Sequence, residues 1–303
     1  MDVDEAQQLS YAAVSFRHPF STEAYELGFA PGVREDYTYQ ADDLPNVDLP
    51  VVFLDNDFHD PDLDRFLEKF NEYDPSVAVL GDAYTESEAR ELNQAACEIL
   101  EEQPYKHPVV VPKCREAFDV LDSEVIKGYP NGYSELKPED YSNISDWRGE
   151  PVHILGGSPE LQWEEIQKLT QPNLAGDPPA DIRGVDWNGF QKIAYLGEYW
   201  SPDGWQEADH LSIRETVRKS LEEIKKYWQE KNVWPETVPQ DIYGDAVEEP
   251  DEYLWMDDGG DPITGREELE KAYIGEYEEK GKLAFKSEAE KKFIEYREDL
   301  TLV

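Results

Sequence analysis

The chain has 303 residues, 69 of them acidic against 28 basic, for a formal net charge of -41. With 12% aromatic residues, including eight Trp, it carries the material of a packed core, so intrinsic disorder is excluded despite the charge. Cys97 and Cys114 are the only cysteines, which excludes a disulfide framework and any multi-cysteine zinc knuckle within the chain.

No apolar run approaches the ~20 residues that cross a bilayer, and the opening Met-Asp-Val-Asp-Glu has neither the basic nor the apolar region of a signal peptide. The sequence therefore predicts a cytoplasmic protein with no membrane partner. An acidic coat of this size repels itself unless counterions are concentrated around it. It points to the cytoplasm of a salt-accumulating halophile or of its virus, with an acidic protein of an ordinary cell as the alternative.

In chain order, apolar runs predict strands over 11–16, 51–55, 77–81, 109–113, 125–128, 152–155 and 182–186. Amphipathic spacing between them predicts helices over 21–27, 61–73, 85–101, 115–121, 159–169 and 190–199. The alternation implies a parallel sheet, and seven or eight such units in about 200 residues suit a (β/α)8 TIM-like barrel better than an open doubly wound sheet. A further helix over 211–228 has Ile213, Val217, Leu221, Ile224 and Trp228 at helical spacing and would close the barrel. Residues 1–232 thus read as the barrel domain. Residues 233–303 read as an acidic linker rich in Pro, Asp and Gly, followed by a helical C-terminal extension over 264–300.

The predicted strands end in Asp55, Gly81-Asp82, Lys113, Gly128, Gly156-Gly157 and Asp186, and the C-terminal strand ends of such a barrel face its active site. Asp and Gly after strands are also ordinary caps and turn formers. Asp82 and Asp186 each follow an apolar run that must be buried, where desolvation perturbs a carboxyl. Two carboxylates at one mouth suit chemistry at a sugar carbon or recognition of a base's N–H edge. Glycines at 156 and 157 let a ligand approach the backbone.

Asp55, Asp57 and His59 offer a possible metal site, because alternate residues of an extended segment share a face. His153 is open to two readings, a hydrogen-bonded core residue or a catalytic one. Lys113 could bind an anion or snorkel. The aromatic group Trp187, Phe190, Tyr199, Trp200 and Trp205 could stack on a base or cover the barrel end.

The ordered series of motifs over residues 50–205 resembles the guanine transglycosylase family, the queuine and archaeosine tRNA-ribosyltransferases and the 7-deazaguanine DNA transglycosylases. Leu54-Asp55-Asn56-Asp57-Phe58 resembles the family's Asp-Ser-Gly-Gly-Phe strand end. Val79-Leu80-Gly81-Asp82 is similar to the strand whose aspartate reads the guanine edge. Pro108 to Lys113 sits where the family has Val-Gln-Gly-Gly, without the Gln. Val125 to Gly128, with Ser134-Glu135, resembles the Ile-Gly-Gly-Leu and Gly-Glu element. His153 to Pro159 resembles Leu-Met-Gly-Val-Gly-Thr-Pro, and Gly184-Val185-Asp186 matches the Gly-Val-Asp run near the family's nucleophile. The family's own aspartate follows slightly later, where this chain has Asn188. The structural zinc site of three Cys and one His is missing, which favours a divergent DNA-modifying branch over a tRNA-type enzyme.

The resemblance implies that Asp186 attacks C1′ of a flipped-out guanosine nucleotide and that a 7-deazaguanine then takes the sugar from it, with no cofactor. Asp55 and Asp82 would hold the base edge, with Lys113, Gly128, Gly156, Gly157 and Asn188 around it. The partners would be DNA or tRNA and the free base, and a homodimer is the assembly considered. Arg214, Arg218, Lys219, Lys225 and Lys226 are the material for phosphate contacts, or an ordinary solvated helix face. Two other classes stay open: a metal-dependent barrel hydrolase built on Asp55, Asp57 and His59, and a non-catalytic viral structural protein with a barrel fold.

Overall fold

The computed structural model describes residues 8–15, 20–37, 49–132, 136–208, 210–211, 213–245, 255–256 and 262–263. Eight strands close in sequence order into an all-parallel barrel: β1 (Tyr11–Ser15), β2 (Ala30–Arg34), β3 (Phe53–Asp55), β4 (Val77–Ala83), β5 (His107–Pro112), β6 (Ile126–Pro130), β7 (Pro151–Leu155) and β8 (Asp181–Asp186). Closure is made by β1, which pairs with β2 on one side and with β8 on the other, Tyr11 opposite Gly184 and Ala13 opposite Asp186. The (β/α)8 architecture expected from the alternation is therefore present.

One strand, β2, escapes the sequence pattern. Its Ala-Pro-Gly-Val-Arg reads as a turn, yet Gly32 faces the barrel interior, where a Cβ would lie 2.9 Å from the ring of Phe53 on β3. A bare backbone beside a large ring fills the same volume as two medium side chains. The interior proper is formed by Tyr11, Ala13, Ala30, Phe53, Val77, Val79, Val109, Val111 and Ile126. The outer faces of the strands pack on the helices in two larger apolar clusters.

The helices follow local chemistry. The helix α1 (Phe20–Glu26) follows β1. The helix α2 (Leu63–Tyr73) is capped by Asp62, whose side chain accepts from the amide of Arg65, and ends at Asp74 in the left-handed region. The helix α3 (Glu86–Glu102) begins with a capping box between Thr85 and Glu88. By contrast, the predicted helix over 115–121 is reduced to the single turn α4 (Ala117–Val120), and a second short turn, α5 (Pro138–Tyr141), follows β6. After β7 comes α6 (Pro159–Thr170), with proline at its first position.

The segment after β8 differs from the expected helix over 190–199. A short helix, α7 (Gly189–Ile193), ends in a 3-10 turn (Ala194–Leu196) that Gly197 terminates at φ 79. The chain then forms an antiparallel hairpin of β9 (Glu198–Ser201) and β10 (Gly204–Glu207). The aromatic residues there favour a pleated surface over a helix.

The last barrel helix, α8 (Ile213–Glu230), lies against α1, α6 and the β9 strand, closing the ring as expected. Arg214, 1% exposed, donates to Glu23 of α1 at 2.5 Å, and Arg218 bonds Glu23 and Glu26. These arginines clamp two helices, so buried Arg214 is neither the phosphate contact nor the solvated face that the sequence left open for this helix. Of the other cations proposed there, Lys219 lies over the ring of Tyr199, Lys225 over Trp234, and Lys226 pairs loosely with Glu223.

Past residue 232 the chain does not leave the barrel at once. Val233 is buried and its carbonyl accepts from Leu9, Trp234 packs edge-on against Phe29, and α9 (Pro239–Tyr243) leads to Gly244, whose carbonyl accepts from Tyr25. The helix predicted over 264–300 lies outside the described residues, as do Ser134 and Glu135. No helix among the described residues is long and apolar enough to cross a membrane.

Candidate active site

Strand parity decides which side chains meet at the C-terminal mouth. On β2, β3 and β8 the residues that continue the inward-facing parity of the interior layer at the C-terminal end are Arg34, Asp55 and Asp186. On β4 a bulge between Val79 and Gly81 shifts the register. Asp82 and, just past β5, Lys113 meet beside that bulge, with Lys113 Nζ 3.7 Å from Asp82 Oδ2.

Two of the carboxylates act on the third. Asp55 has its acidity weakened to about 8, first by burial, then by the negative charge of Asp186, with Asp82 adding to it and Arg34 opposing. A carboxyl whose acidity both neighbours weaken lies within electrostatic reach of each of them. At neutral pH Asp55 is largely protonated and can donate.

Asp186 is held by its neighbours. Its Oδ1 lies 3.1 Å from the amide of Gly156 and 3.1 Å from Nε2 of His153. Its carbonyl accepts at 2.7 Å from Gln162, which also donates to the Gly156 carbonyl and so ties α6 to both strand ends. The side chain of Asp186 keeps 19% of its surface exposed, whereas His153 has none. Behind His153 stands Tyr11 of β1, its hydroxyl 2.8 Å from Nδ1 and its ring stacked on the imidazole at 5.4 Å.

This line of contacts is possible because of Gly184. In register, Tyr11 is opposite Gly184 on β8, and Gly184 is opposite His153 on β7. A Cβ on Gly184 would stand 2.3 Å from the Tyr11 ring. The ring crosses the flat backbone of β8 to reach a strand that its own does not touch.

Asp82 is the second acid. Burial weakens its acidity, while Lys113 and the Tyr84 hydroxyl, 3.1 Å away, act in the opposite sense. Lys113 is lowered from the ordinary lysine range, chiefly by burial, with Asp82 restoring part of it. The pair presents a donor beside an acceptor at the mouth.

Other expected residues have different duties. Gly128 is enclosed in mid-strand, where a Cβ would meet Val111 and Leu155 within 2.9 Å, so it makes room in the interior and is not a mouth residue. Gly156 and Gly157 adopt φ +68 and +80, a conformation that other residues enter at a cost of roughly 1–2 kcal/mol. The turn aims its amide at Asp186 and brings the chain against Gly132 and Asn131, so its close approach is to protein, not to open space for a ligand. Asn188 accepts from the Ser15 amide at 2.5 Å and fastens β1 to the end of β8.

The metal reading of Asp55, Asp57 and His59 separates in space. Asp57 accepts from the His59 amide, donates its own amide to buried Glu35 and lies 3.7 Å from Arg65, while the His59 ring packs on Phe58. Among the described residues no three His, Cys, Asp or Glu side chains gather as a metal site. In the aromatic group, Phe190 and Trp200 are core, Trp187 bridges them, and Trp205 is 41% exposed.

Sequence reasoning passed over three contributors. Arg34 lies on the unrecognised β2 and chelates Asp36 at 2.5 and 2.7 Å. Gln162 reads as one more polar helix residue. Tyr11 reads as core, and its one available signal was a glycine two positions before Asp186 on what proves to be the adjacent strand.

A search of curated proteins found no match. Among solved structures the chain is similar to the YdjI aldolase from Escherichia coli K12, at 11% identity and a TM-score of 0.43, covering 74% of this chain and 90% of that one. A family model matches residues 24–229, more than half of the chain, and it spans Asp55, Asp82, Lys113, His153 and Asp186. By that match the chain belongs to DUF6610, a family of unknown function.

Proposed function

We propose that the barrel is a base-exchanging N-glycosyl transferase that replaces a guanine by a 7-deazaguanine through a covalent Asp186-glycosyl intermediate, on DNA in preference to tRNA. The observation that carries this reading is the pairing of Asp55, held protonated up to about 8, with Asp186, whose Oδ1 already has two hydrogen-bond partners. Two carboxyl groups in opposite roles at one sugar carbon are what retaining glycosyl transfer needs.

In the first step Oδ2 of Asp186 bonds to C1′ as the C1′–N9 bond breaks. The electron pair goes to N9 of the departing guanine, and Asp55 supplies the proton that neutralises it. In the second step the incoming base gives its N9 proton to the Asp55 carboxylate and bonds to C1′, and the ester to Asp186 opens. Asp82 and Lys113, as adjacent acceptor and donor, would hold the base edge.

Nucleic-acid contact on this reading runs through the mouth, since Arg214 and Arg218 are tied to Glu23. Phe58, Tyr84 and Trp205, between 41% and 54% exposed, follow β3, β4 and β8 and offer faces on which flanking bases can stack. At ~1 M salt the Debye length falls to about 3 Å, which removes most long-range repulsion between acidic coat and phosphates. The chain would then work in a salt-rich cytoplasm.

The test is incorporation of labelled guanine into DNA and into tRNA in molar KCl, with Asp186→Asn alongside. Exchange by the wild type and a loss of roughly 10⁴-fold in the variant are expected. Exchange that survives the substitution removes Asp186 from the chemistry, and no exchange into either polymer defeats the reading.

A further inference from the structure

Buried polar groups in a barrel interior need a reason. Beneath the mouth the interior holds two enclosed polar rings, Tyr11 and His153, at 7% and 0% exposure, with the ring of His107 on β5 6.4 Å from Tyr11. Two apolar residues of the same volume would pack there without the desolvation that a phenol and an imidazole incur, about 1–3 kcal/mol for each group left unpaired. Glycine at 184 also leaves β8 without a side chain where Tyr11 crosses it. The arrangement gives up packing to bring one hydroxyl to one ring nitrogen.

The direction of the hydrogen bonds follows from the groups. Burial, reinforced by the negative charge of Asp186, drives the Tyr11 phenol well above its ordinary range, so it keeps its proton. A protonated phenol can donate or accept, so the other nitrogen sets the direction: Nε2 faces a carboxylate oxygen, which only accepts and so takes the ring's proton there, leaving Nδ1 to accept from the phenol 2.8 Å away. Nε2 faces Oδ1 of Asp186 at 3.1 Å, the oxygen that also receives the Gly156 amide. The other oxygen, Oδ2, is then the one with capacity to react.

We propose that Tyr11 is a positioning residue for the reaction: through its hydroxyl on Nδ1 it fixes the His153 proton on Nε2, so that the ring holds Oδ1 of Asp186 and turns Oδ2 toward the reacting carbon. The assignment rests on the glycosyl-transfer reading for its reaction, and on the contacts of Nδ1 and Nε2 for the tautomer. Neither Tyr11 nor His153 touches the substrate. Without the phenol, His153 is free to carry its proton on Nδ1, and Nε2 then meets the carboxylate with a lone pair.

The experiment uses the full-length protein labelled with 15N at histidine. It reads the ring nitrogens of His153 at pH 7, the signal being identified among five histidines by its loss in His153→Gln. The expected wild-type spectrum is a neutral ring protonated on Nε2, and Tyr11→Phe, which keeps the stacked ring, mixes that state with others. In the exchange assay Tyr11→Phe lowers kcat by about 10- to 100-fold, the range for partners that fix a histidine's orientation. KM stays unchanged and the pH–rate profile alters.

A wild-type ring protonated on Nδ1 overturns the proposal, and so does a His153 spectrum indifferent to Tyr11→Phe. If Tyr11→Phe does not fold, the wild-type spectrum alone decides. If wild type shows no exchange at all, the glycosyl-transfer reading fails, and the spectrum still settles whether Tyr11 governs His153.

Discussion

The two ends of the barrel handle charge in opposite ways. At the N-terminal end, cations and carboxylates are matched at contact distance: Lys106 with Asp74 at 2.6 Å, Lys127 with Glu150 at 2.7 Å, and Arg183 with Asp181 at 2.5 Å. Lys127 also donates to the Asp122 carbonyl at 2.6 Å, so its buried ammonium is well supplied with acceptors. At the C-terminal mouth Asp82 has Lys113 3.7 Å away, while Asp55 feels the charges of Asp186 and Asp82 and answers by retaining its proton. Matched charge in low dielectric holds a structure in place, whereas mismatched charge stores reactivity. On the proposed reading, the same chain separates stability from chemistry along one axis, as barrels of this class do.

Substitution at each end should separate the two properties. Asp186→Asn, isosteric at the mouth, should abolish base exchange by roughly 10⁴-fold while urea unfolding moves little. A variant that unfolds early would place Asp186 with the structural charges instead. At the other end, Lys127→Ala should cost about 3 kcal/mol in the same unfolding measurement, by stranding Glu150, and leave the activity of each folded molecule intact.

Gly184→Ala tests the slot between the ends. Its Cβ would overlap the Tyr11 ring, which predicts about 1–3 kcal/mol of destabilisation and a shifted His153 resonance. A variant as stable as wild type with an unmoved ring would show that β8 can yield and that the glycine is incidental.

The smallest effect is in pH dependence. The folded form holds the Asp55 proton up to about 8, while an unfolded aspartate releases it near ~3.9. Its contribution to stability is therefore complete below about pH 4 and is lost as pH rises toward 8. Thermal melts of Asp55→Asn against wild type should converge at low pH and diverge in that window, the variant becoming the relatively more stable. Parallel melts from pH 4 to 9 would mean that Asp55 ionises normally and that the mouth is not electrostatically mismatched.

Much of this was legible in the sequence because parallel barrel strands are buried on both faces and read as unbroken apolar runs. Val109-Val110-Val111 is the plainest of them, and the acids that end such runs mark the mouth. Asp55, Asp82 and Asp186 follow from that rule alone. What stayed hidden depends on packing between strands. Ala30–Arg34 is a strand because Phe53 fills the space beside Gly32, and no period of two announces it. Gly156-Gly157 reads as room for a ligand until the register shows Asp186 beside it. The clamp of Arg214 on Glu23 joins residues 191 positions apart, so a basic helix face cannot be told from a buried ion pair by composition. Tyr11, His153 and Asp186 lie on three different strands, and only closure puts them in one line.

That closure has a further meaning. The contact between Tyr11 and His153 crosses the seam where the first strand meets the last, and Asn188 buttons the same seam from above through the Ser15 amide. A nascent chain lacking either edge has no aligned Asp186, however well the remainder has collapsed. The barrel is thereby its own inspector: Asp186 comes into line with His153 and Tyr11 only when the ring of strands is complete.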